Sequence, residues 1–597
     1  MPNLITHYFG NYNAKVIEST FNSTANTFYF FAANHLPFEN DLTPPNVNNS
    51  IKFIDYAYHD QLIFGKRITD ADVEFVVKKH VWTLNEVYDI YDDIQTNLNT
   101  KKFFVVYPEG GSYHVFKCLD NNNGAPSQFP PLKSETSESD ILYKKADGYQ
   151  WKYLYTITNS QWVKFNTAEY MPVYVNSNTV ANAVAGAIDV IKIESGGTNY
   201  NSYANGFFST FNVEGNTQVF GIDSSAASNT DFYRNSSIYI SSGTGAGQLR
   251  DIVQYTVSGN SKRVIIDSPW STSPDATSKY EIAPRVLIAG DGVNAKARAI
   301  VNPSTNSISR IDIVSRGSNY TFANVVIEGN TGFIDTGNTV ILANTAVARV
   351  ILGPKEGHGS DVYSELYSTN ICISASFANT ESDTLPITNN FRTFGILNRP
   401  AYANLVLSVS SVTGTFTANT LIEQPGTGAT GRILFANSSS MRLTNATGIF
   451  NSNSYIRVSG NNSVNAAVTS VSTSQNYFDQ RTIFQINVTN SGLSGNGFIL
   501  NEKVTQSITN ASGYIYSSNS SVISLTNVKG NFAISDVGDP KYFTGETSGA
   551  VAQLNGVNAP SLVKYSGDIF YIENVQPIQR ADNQTETFKV IIKLLGQ

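Results

Sequence analysis

The chain has 597 residues, a length that fits about four domains at ~150 residues each. Only 15% of the residues are charged, and 40 Lys+Arg against 47 Asp+Glu leave a net charge of -7. This argues against a general nucleic-acid binder, whose affinity needs clustered cations. With 34 Phe and 32 Tyr beside 3 Met and 4 Trp, and a polar fraction rich in Asn, Ser, Thr and Gly, the composition favours strands and turns over helices. Two cysteines, Cys118 and Cys372, cannot supply a disulfide framework for so long a chain, which points to folding in a reducing cytoplasm. The start, MPNLITHYFG, lacks a signal-peptide pattern, and the longest apolar runs (Phe28 to Ala33, Val590 to Leu595) fall far short of the ~20 residues of a membrane helix. A soluble chain, unprocessed at its N-terminus and without a membrane span, is therefore expected.

In chain order, Val73, Val76, Val77 and Val81 behind acidic residues predict a helix over Asp70 to Trp82, although these β-branched residues also suit a strand. Phe103 to Tyr107, a turn at Pro108 to Gly111, and Tyr113 to Leu119 predict a β-hairpin, closed by Asp120 to Gly124 and followed by a Pro-rich loop through Pro131. A strand over Gly148 to Tyr155 places Tyr149, Trp151, Tyr153 and Tyr155 on one face that needs a second layer to cover it.

From about Val180 onward the chain becomes short strands punctuated by Gly, Asn and Ser, and it repeats itself. Ile191 to Tyr200 recurs as Ile311 to Tyr320 at an offset of 120 (311 minus 191), and the shared Gly197 and Gly317 point to a turn whose backbone angle other residues would find strained. Gly431 to Phe450 aligns without gaps to Gly513 to Phe532 at an offset of 82 (513 minus 431), with Gly431 and Gly513 read as turn residues. The same offset relates Phe416 to Phe498, Asn419 to Asn501, Ile422 to Val504 and Gln424 to Gln506. Two tandem β modules are thus predicted over 406–556, sharing scaffold positions and no reactive group.

Tests for chemistry give little. Gly426 to Gly431 has GxGxxG spacing, but Arg432 to Phe435 reads as a strand and no acid follows at the distance a dinucleotide site requires, so a glycine-rich turn is expected. Asp120 to Gly124 starts like a calcium loop, yet Ala125 and Pro131 occupy the positions that need glycine and glutamate. Asp89, Asp92 and Asp93 read as a solvated acidic loop rather than a paired-carboxylate site. The six histidines, His7, His35, His59, His80, His114 and His358, show no zinc spacing, and neither a P-loop nor a GxSxG elbow occurs. His358, in the glycine-rich stretch Gly353 to Asp361, is the histidine of most interest, read as a polar residue that orders its loop. Asn-x-Ser/Thr sequons follow from the composition and imply no glycosylation of a cytoplasmic product.

Four discontinuous segments carry a resemblance. Tyr113 to Asp120 (with Phe116 and Cys118), Ala146 to Tyr155 (with Asp147 and Gly148), Asn390 to Pro400 (with Phe391 and Arg392), and Ser566 to Asn574 (with Gly567, Tyr571 and Glu573) followed by Asp582 to Glu586 (with Thr585) resemble, in this order, the baseplate wedge subunit encoded by gene eight of T-even-type contractile-tailed phages. The resemblance implies a mainly β structural protein with a β-sandwich-like core and a few short helices in the N-terminal part. It also implies a homodimer that packs with other wedge proteins in the virion tail baseplate, with no enzymatic activity, no cofactor and no metal. The chain is longer than that family, so the expected organisation is a discontinuous core (1–180, 346–405 and 557–597) interrupted by an inserted β region at 181–345 and the tandem β modules at 406–556. Such insertions are tolerated where both ends meet at the surface. Low charge and abundant aromatics agree with large interfaces. A second reading gives the inserted modules a glycan-binding role or a dock for a receptor-binding fibre or spike; a third, a glycan-degrading enzyme, needs two converging carboxylates.

Overall fold

In the computed structural model the chain is mainly β, with a few short helices toward the N-terminus. The structure describes residues 5–21, 23–136, 143–211, 215–328, 333–334, 340–341, 345–381, 385–386, 389–488, 497–581 and 583–594. Among them no helix is long and apolar enough to cross a membrane. Two compact units emerge, Met1–Phe75 with Thr369–Gln597, and Val76–Ser368. These cuts differ from the divisions expected at 180, 345, 405 and 556, which follow composition and repeats, whereas compaction reports which residues pack together.

In the first unit a five-stranded antiparallel sheet runs in the order Tyr477–Asp479, Leu62–Ile68, Phe28–Ala33, Asn390–Asn398, Asp568–Gln579. The central strand Phe28–Ala33 is buried at every position, as a strand covered on both faces must be. On one face Phe30, Phe64, Phe391 and Phe394 meet Phe377 and Phe588 from the paired strands Asn370–Ala378 and Thr585–Lys593, with ring centroids 4.9–6.1 Å apart. On the other, Tyr29 and Phe31 join the core of a closed six-stranded barrel spanning Leu405 to Val471.

A second barrel of identical strand order spans Thr482 to Val488 through Val551 to Asn558. Its strands Lys503–Gln506, Ala511–Ser518 and Val522–Lys529 match Leu421–Gln424, Ala429–Ala436 and Ser440–Thr447 of the first at the offset of 82. Gly431 and Gly513 are not the turn residues that the sequence leads one to expect. They sit inside strands, where an added Cβ would stand 3.2 Å from Leu443 and 3.1 Å from Leu525 respectively, so what the position requires is close packing rather than an unusual backbone angle.

The second unit contains the predicted hairpin, Phe104–Glu109 and Ser112–Asn121, joined by Gly110 and Gly111 at φ +60° and +79°, the mirror-image turn that matches strand twist. Tyr149–Ile157 adds to its edge, and Tyr149, Trp151 and Tyr153 pack with Tyr88, Phe116 and Cys118. The stretch predicted as a helix is instead a short 3-10 turn, Asp70–Asp72, capped by Thr69, followed by the strand Val73–Lys78. The β-branched valines decide this, since they lose rotamer freedom in a helix and none in a strand. The longest helix, His7–Phe21 in the first unit, was not signalled because it buries Gly10, Asn11, Ala14 and Phe21 while Tyr8, Phe9, Tyr12 and Val16 face out.

The 120-residue repeat shares its backbone shape but not its setting: Gly197 follows strand Ile188–Ser195, whereas Gly317, expected in a turn, lies inside strand Ser307–Ser318, where the left-handed angle is met within the ladder. Gly197 and Gly317 adopt φ +61° and +60°, Asn199 and Asn319 +64° and +63°, and Tyr200 and Tyr320 are buried in one core. The Tyr200 N–H donates to the Asn306 carbonyl at 2.8 Å and the Tyr320 N–H to the Gly186 carbonyl at 3.0 Å, acceptors that also differ by 120. Each copy therefore closes on the chain beside the other. Between them lies a third closed six-stranded barrel, Ala204 to Pro284. Its neighbour pattern equals that of the other two after the strand order is shifted by one, its first strand standing where their last one stands. Gly243-Thr244-Gly245 occupies the turn held by Gly426-Thr427-Gly428 in the barrel of 405–471.

Candidate functional site

The residues singled out by motif fall into two structural groups. In the second unit Tyr113 stacks on Trp162 at 3.8 Å, and the Asp147 carboxylate accepts the N–H groups of Gln128 and Phe129 at 2.7 and 3.2 Å. Gly148, at φ +88°, lies against Asn122, and the Tyr149 hydroxyl donates to the Ala125 carbonyl at 2.6 Å. Phe116, Cys118, Trp151 and Tyr153 are core. In the first unit Arg392 grips Asp41 through two hydrogen bonds of 2.8 and 2.7 Å and donates to the His35 carbonyl at 2.6 Å. Gly567, at φ +83°, passes so close to Pro400 that a Cβ would stand 2.9 Å from its Cα. Thr393 donates to Asn574 at 2.8 Å, Tyr571 donates to Glu573, and Thr585 pairs with Ala378. Asp582 lies outside the described residues.

The segment Gly426 to Gly431 is a turn between strands Leu421–Gln424 and Ala429–Ala436, without the helix N-terminus that a pyrophosphate needs. Asp120 to Gly124 ends a strand in a 3-10 turn closed by the Asn121 side chain on the Gly124 N–H. The acidic run is not simply solvated: Asp92 is 9% exposed and Arg349 holds Asp92 and Asp93 at 2.7 and 3.1 Å. Both cysteines are buried, and burial raises each thiol's pKa, Cys372 to about 12, which leaves them unreactive.

The densest chemistry surrounds His358, 2% exposed. Lys117, from strand Ser112–Asn121, reaches Glu365, the last residue of helix Val362–Glu365, and also the His358 ring nitrogen Nδ1. His358 Nδ1 lies 3.3 Å from Glu365 Oε1, and the Gly359 N–H donates to Glu365 Oε2 at 2.7 Å. Asp189 approaches His358 Nε2 at 3.8 Å and is paired with Arg316 at 2.7 Å. Tyr91 covers the cluster, its centroid 4.4 Å from Lys117 Nζ and 4.9 Å from the His358 ring. Burial holds the Lys117 amine well below the usual lysine range, Asp189 opposing and Lys152 reinforcing. Burial, then Lys117, Arg316 and Lys152, holds His358 well below the usual histidine range. The glycine-rich loop points to His358 in the sequence, whereas sequence reasoning misses Lys117 and Glu365. The available signal was a lysine inside the otherwise apolar run Val115-Phe116-Lys117-Cys118-Leu119.

Two of the clefts formed by the described residues lie elsewhere. One of about 400 Å³ in the second unit is lined by Asp89, Asp92, Asp120, Asn122, Lys192 and Arg310; burial raises the Asp120 pKa. The other, about 530 Å³ in the first unit, runs between the two tandem barrels past Thr444, Gln480, Asn527, Asn531, Phe532 and Lys564. Among the described residues no group of three His, Cys, Asp or Glu is placed to hold a metal ion. No protein-family model and no curated protein matches the chain.

Proposed function

We propose that the chain is a structural component of the baseplate wedge of a contractile phage tail, made in the host cytoplasm, working as a homodimer beside other wedge proteins and performing no catalysis. The observation that carries this reading is the ordered set of four motif segments together with what their residues do: they stack, cap, pack and bridge strands. Tyr113 on Trp162 and Arg392 on Asp41 are examples. The outward stripe of Tyr8, Phe9, Tyr12 and Val16, with Tyr8 and Tyr12 each 63% exposed, also supports a protein that works among neighbours, since aromatic stripes of this kind commonly mark interaction surfaces. Mass spectrometry of purified tails should find the chain in stoichiometric amount, and light scattering should give twice its 65.1 kDa. Its absence from tails overturns the wedge role, and a monomer at high concentration overturns the dimer.

A second reading, glycan binding by the tandem barrels, is favoured by the cleft between them, where an aromatic ring and three side-chain amides (Phe532, Gln480, Asn527, Asn531) share one wall set. Aromatic faces and amides suit sugar rings. Full-length protein on an array of host-envelope glycans should then bind, and Phe532→Ala should lose that binding; an array with no signal removes the reading.

A further inference from the structure

Lys117 and Glu365 are sealed from water, at 0% and 1% side-chain exposure. Removing two full charges from water carries a large desolvation cost for each ion before any attraction is counted. Passing one proton from the ammonium to the carboxylate relieves that cost and leaves a neutral amine against a neutral acid, the two reactants of amide formation. Burial already favours the neutral amine at Lys117. The groups around the pair are those the reaction needs: an imidazole nitrogen touching the amine and 3.3 Å from Oε1, and an N–H aimed at Oε2 from 2.7 Å. Tyr91 covers the amine, and the near-complete burial of the Lys117, His358 and Glu365 side chains keeps hydrolytic water out.

We propose that Lys117 and Glu365 condense into an intramolecular side-chain amide, an isopeptide bond that ties strand Ser112–Asn121 to helix Val362–Glu365. The Nζ lone pair adds to Cδ of the protonated Glu365 carboxyl, forming the C–N bond. His358 Nδ1 takes a proton from Nζ and returns it to Oε1. The Cδ–Oε1 bond then breaks and Oε1 departs as water. Meanwhile the Gly359 N–H holds the negative charge that collects on Oε2. One C–N bond forms, one C–O bond breaks and one water leaves, with no oxidant, reductant or activating cofactor required. Fixing amine and acid in contact supplies an effective concentration of ~10⁵ M or more, which is what lets an unactivated acid react. The Asp189–Arg316 pair, beyond Nε2, positions the imidazole.

The test is the intact mass of the purified full-length chain under denaturing conditions, corrected for initiator-methionine removal. The expected mass is one water below that of the sequence, and peptide mapping should recover one branched peptide joining the fragments that hold Lys117 and Glu365. Lys117→Arg and Glu365→Ala should each restore the full mass, and His358→Ala should leave most of the freshly made chain unreacted. A folded wild-type chain, judged by circular dichroism, with full sequence mass and two linear peptides overturns the proposal, whatever the variants do. The outcome is independent of the wedge reading.

Discussion

The barrel of 405–471 and that of 482–558 are built from one sequence plan, whereas the barrel of 204–284 reaches the same neighbour pattern from a shifted start. In the tandem pair the correspondence extends to individual hydrogen bonds. Gln424, fully buried, donates to the Asn451 carbonyl at 2.8 Å and accepts the Asn451 N–H at 2.8 Å. Gln506, also fully buried, does the same with Ala533 at 3.0 and 2.7 Å, and Thr427 and Thr509 close the two arrangements at 3.1 and 2.9 Å. The third barrel buries no glutamine at that strand end. Its Gln248 lies one strand on and binds Ser271 and Thr272. The neighbour pattern is thus a solution that several apolar strands can reach, while the buried amide belongs to one lineage of sequence.

The largest effect that tests this equivalence is core truncation. Leu443 and Leu525 are both fully buried at matched positions, so Leu443→Ala and Leu525→Ala should each cost ~2–5 kcal/mol in denaturant unfolding. Values differing by more than the usual scatter of such pairs would break the equivalence.

A difference between the tandem barrels should appear with pH. The His35 ring binds the Ile515 carbonyl at 3.2 Å and Thr526 at 3.0 Å, whereas among the described residues the matching Ile433 and Thr444 have no histidine hydrogen bond. Burial lowers the His35 pKa from 6.5 to about 4, so the folded state favours the neutral ring. Its contribution is therefore complete above pH 6.5 and is lost as the pH falls toward 4, by up to ~3 kcal/mol. Hydrogen exchange should show the barrel of 482–558 loosening first over that window, and His35→Gln should flatten the difference.

Gln424→Ala and Gln506→Ala should each cost ~1–3 kcal/mol by removing two hydrogen bonds worth ~1 kcal/mol net apiece, with the third barrel unaffected in hydrogen exchange. The smallest effect belongs to Asn419 and Asn501, at φ +69° and +66°. Alanine there should cost ~1 kcal/mol and glycine little, since only the left-handed backbone is at issue.

What was legible in the sequence was local or evenly spaced. The hairpin at Gly110 and Gly111, the aromatic strand at Tyr149, and the modules sharing Gln424 and Gln506 all declared themselves through turn chemistry, period-two alternation or a constant offset. The third barrel did not, because a shift of one strand defeats any fixed offset. The helix His7–Phe21 hid because its apolar stripe faces outward. The valines after Asp72 fitted a helical spacing, but their branching favoured a strand. Lys117, His358 and Glu365 could not be read as a group, since only the fold brings a strand and a distant glycine-rich loop together.

On the wedge reading proposed here the chain is carried in a contractile phage tail, and cryo-electron microscopy of that intact tail tests the proposal most directly. The wedge reading predicts density for two copies of the chain related by a twofold axis within each baseplate wedge, in contact with other wedge proteins. A baseplate map complete without this chain, or density for it confined to a fibre tip, would contradict that reading.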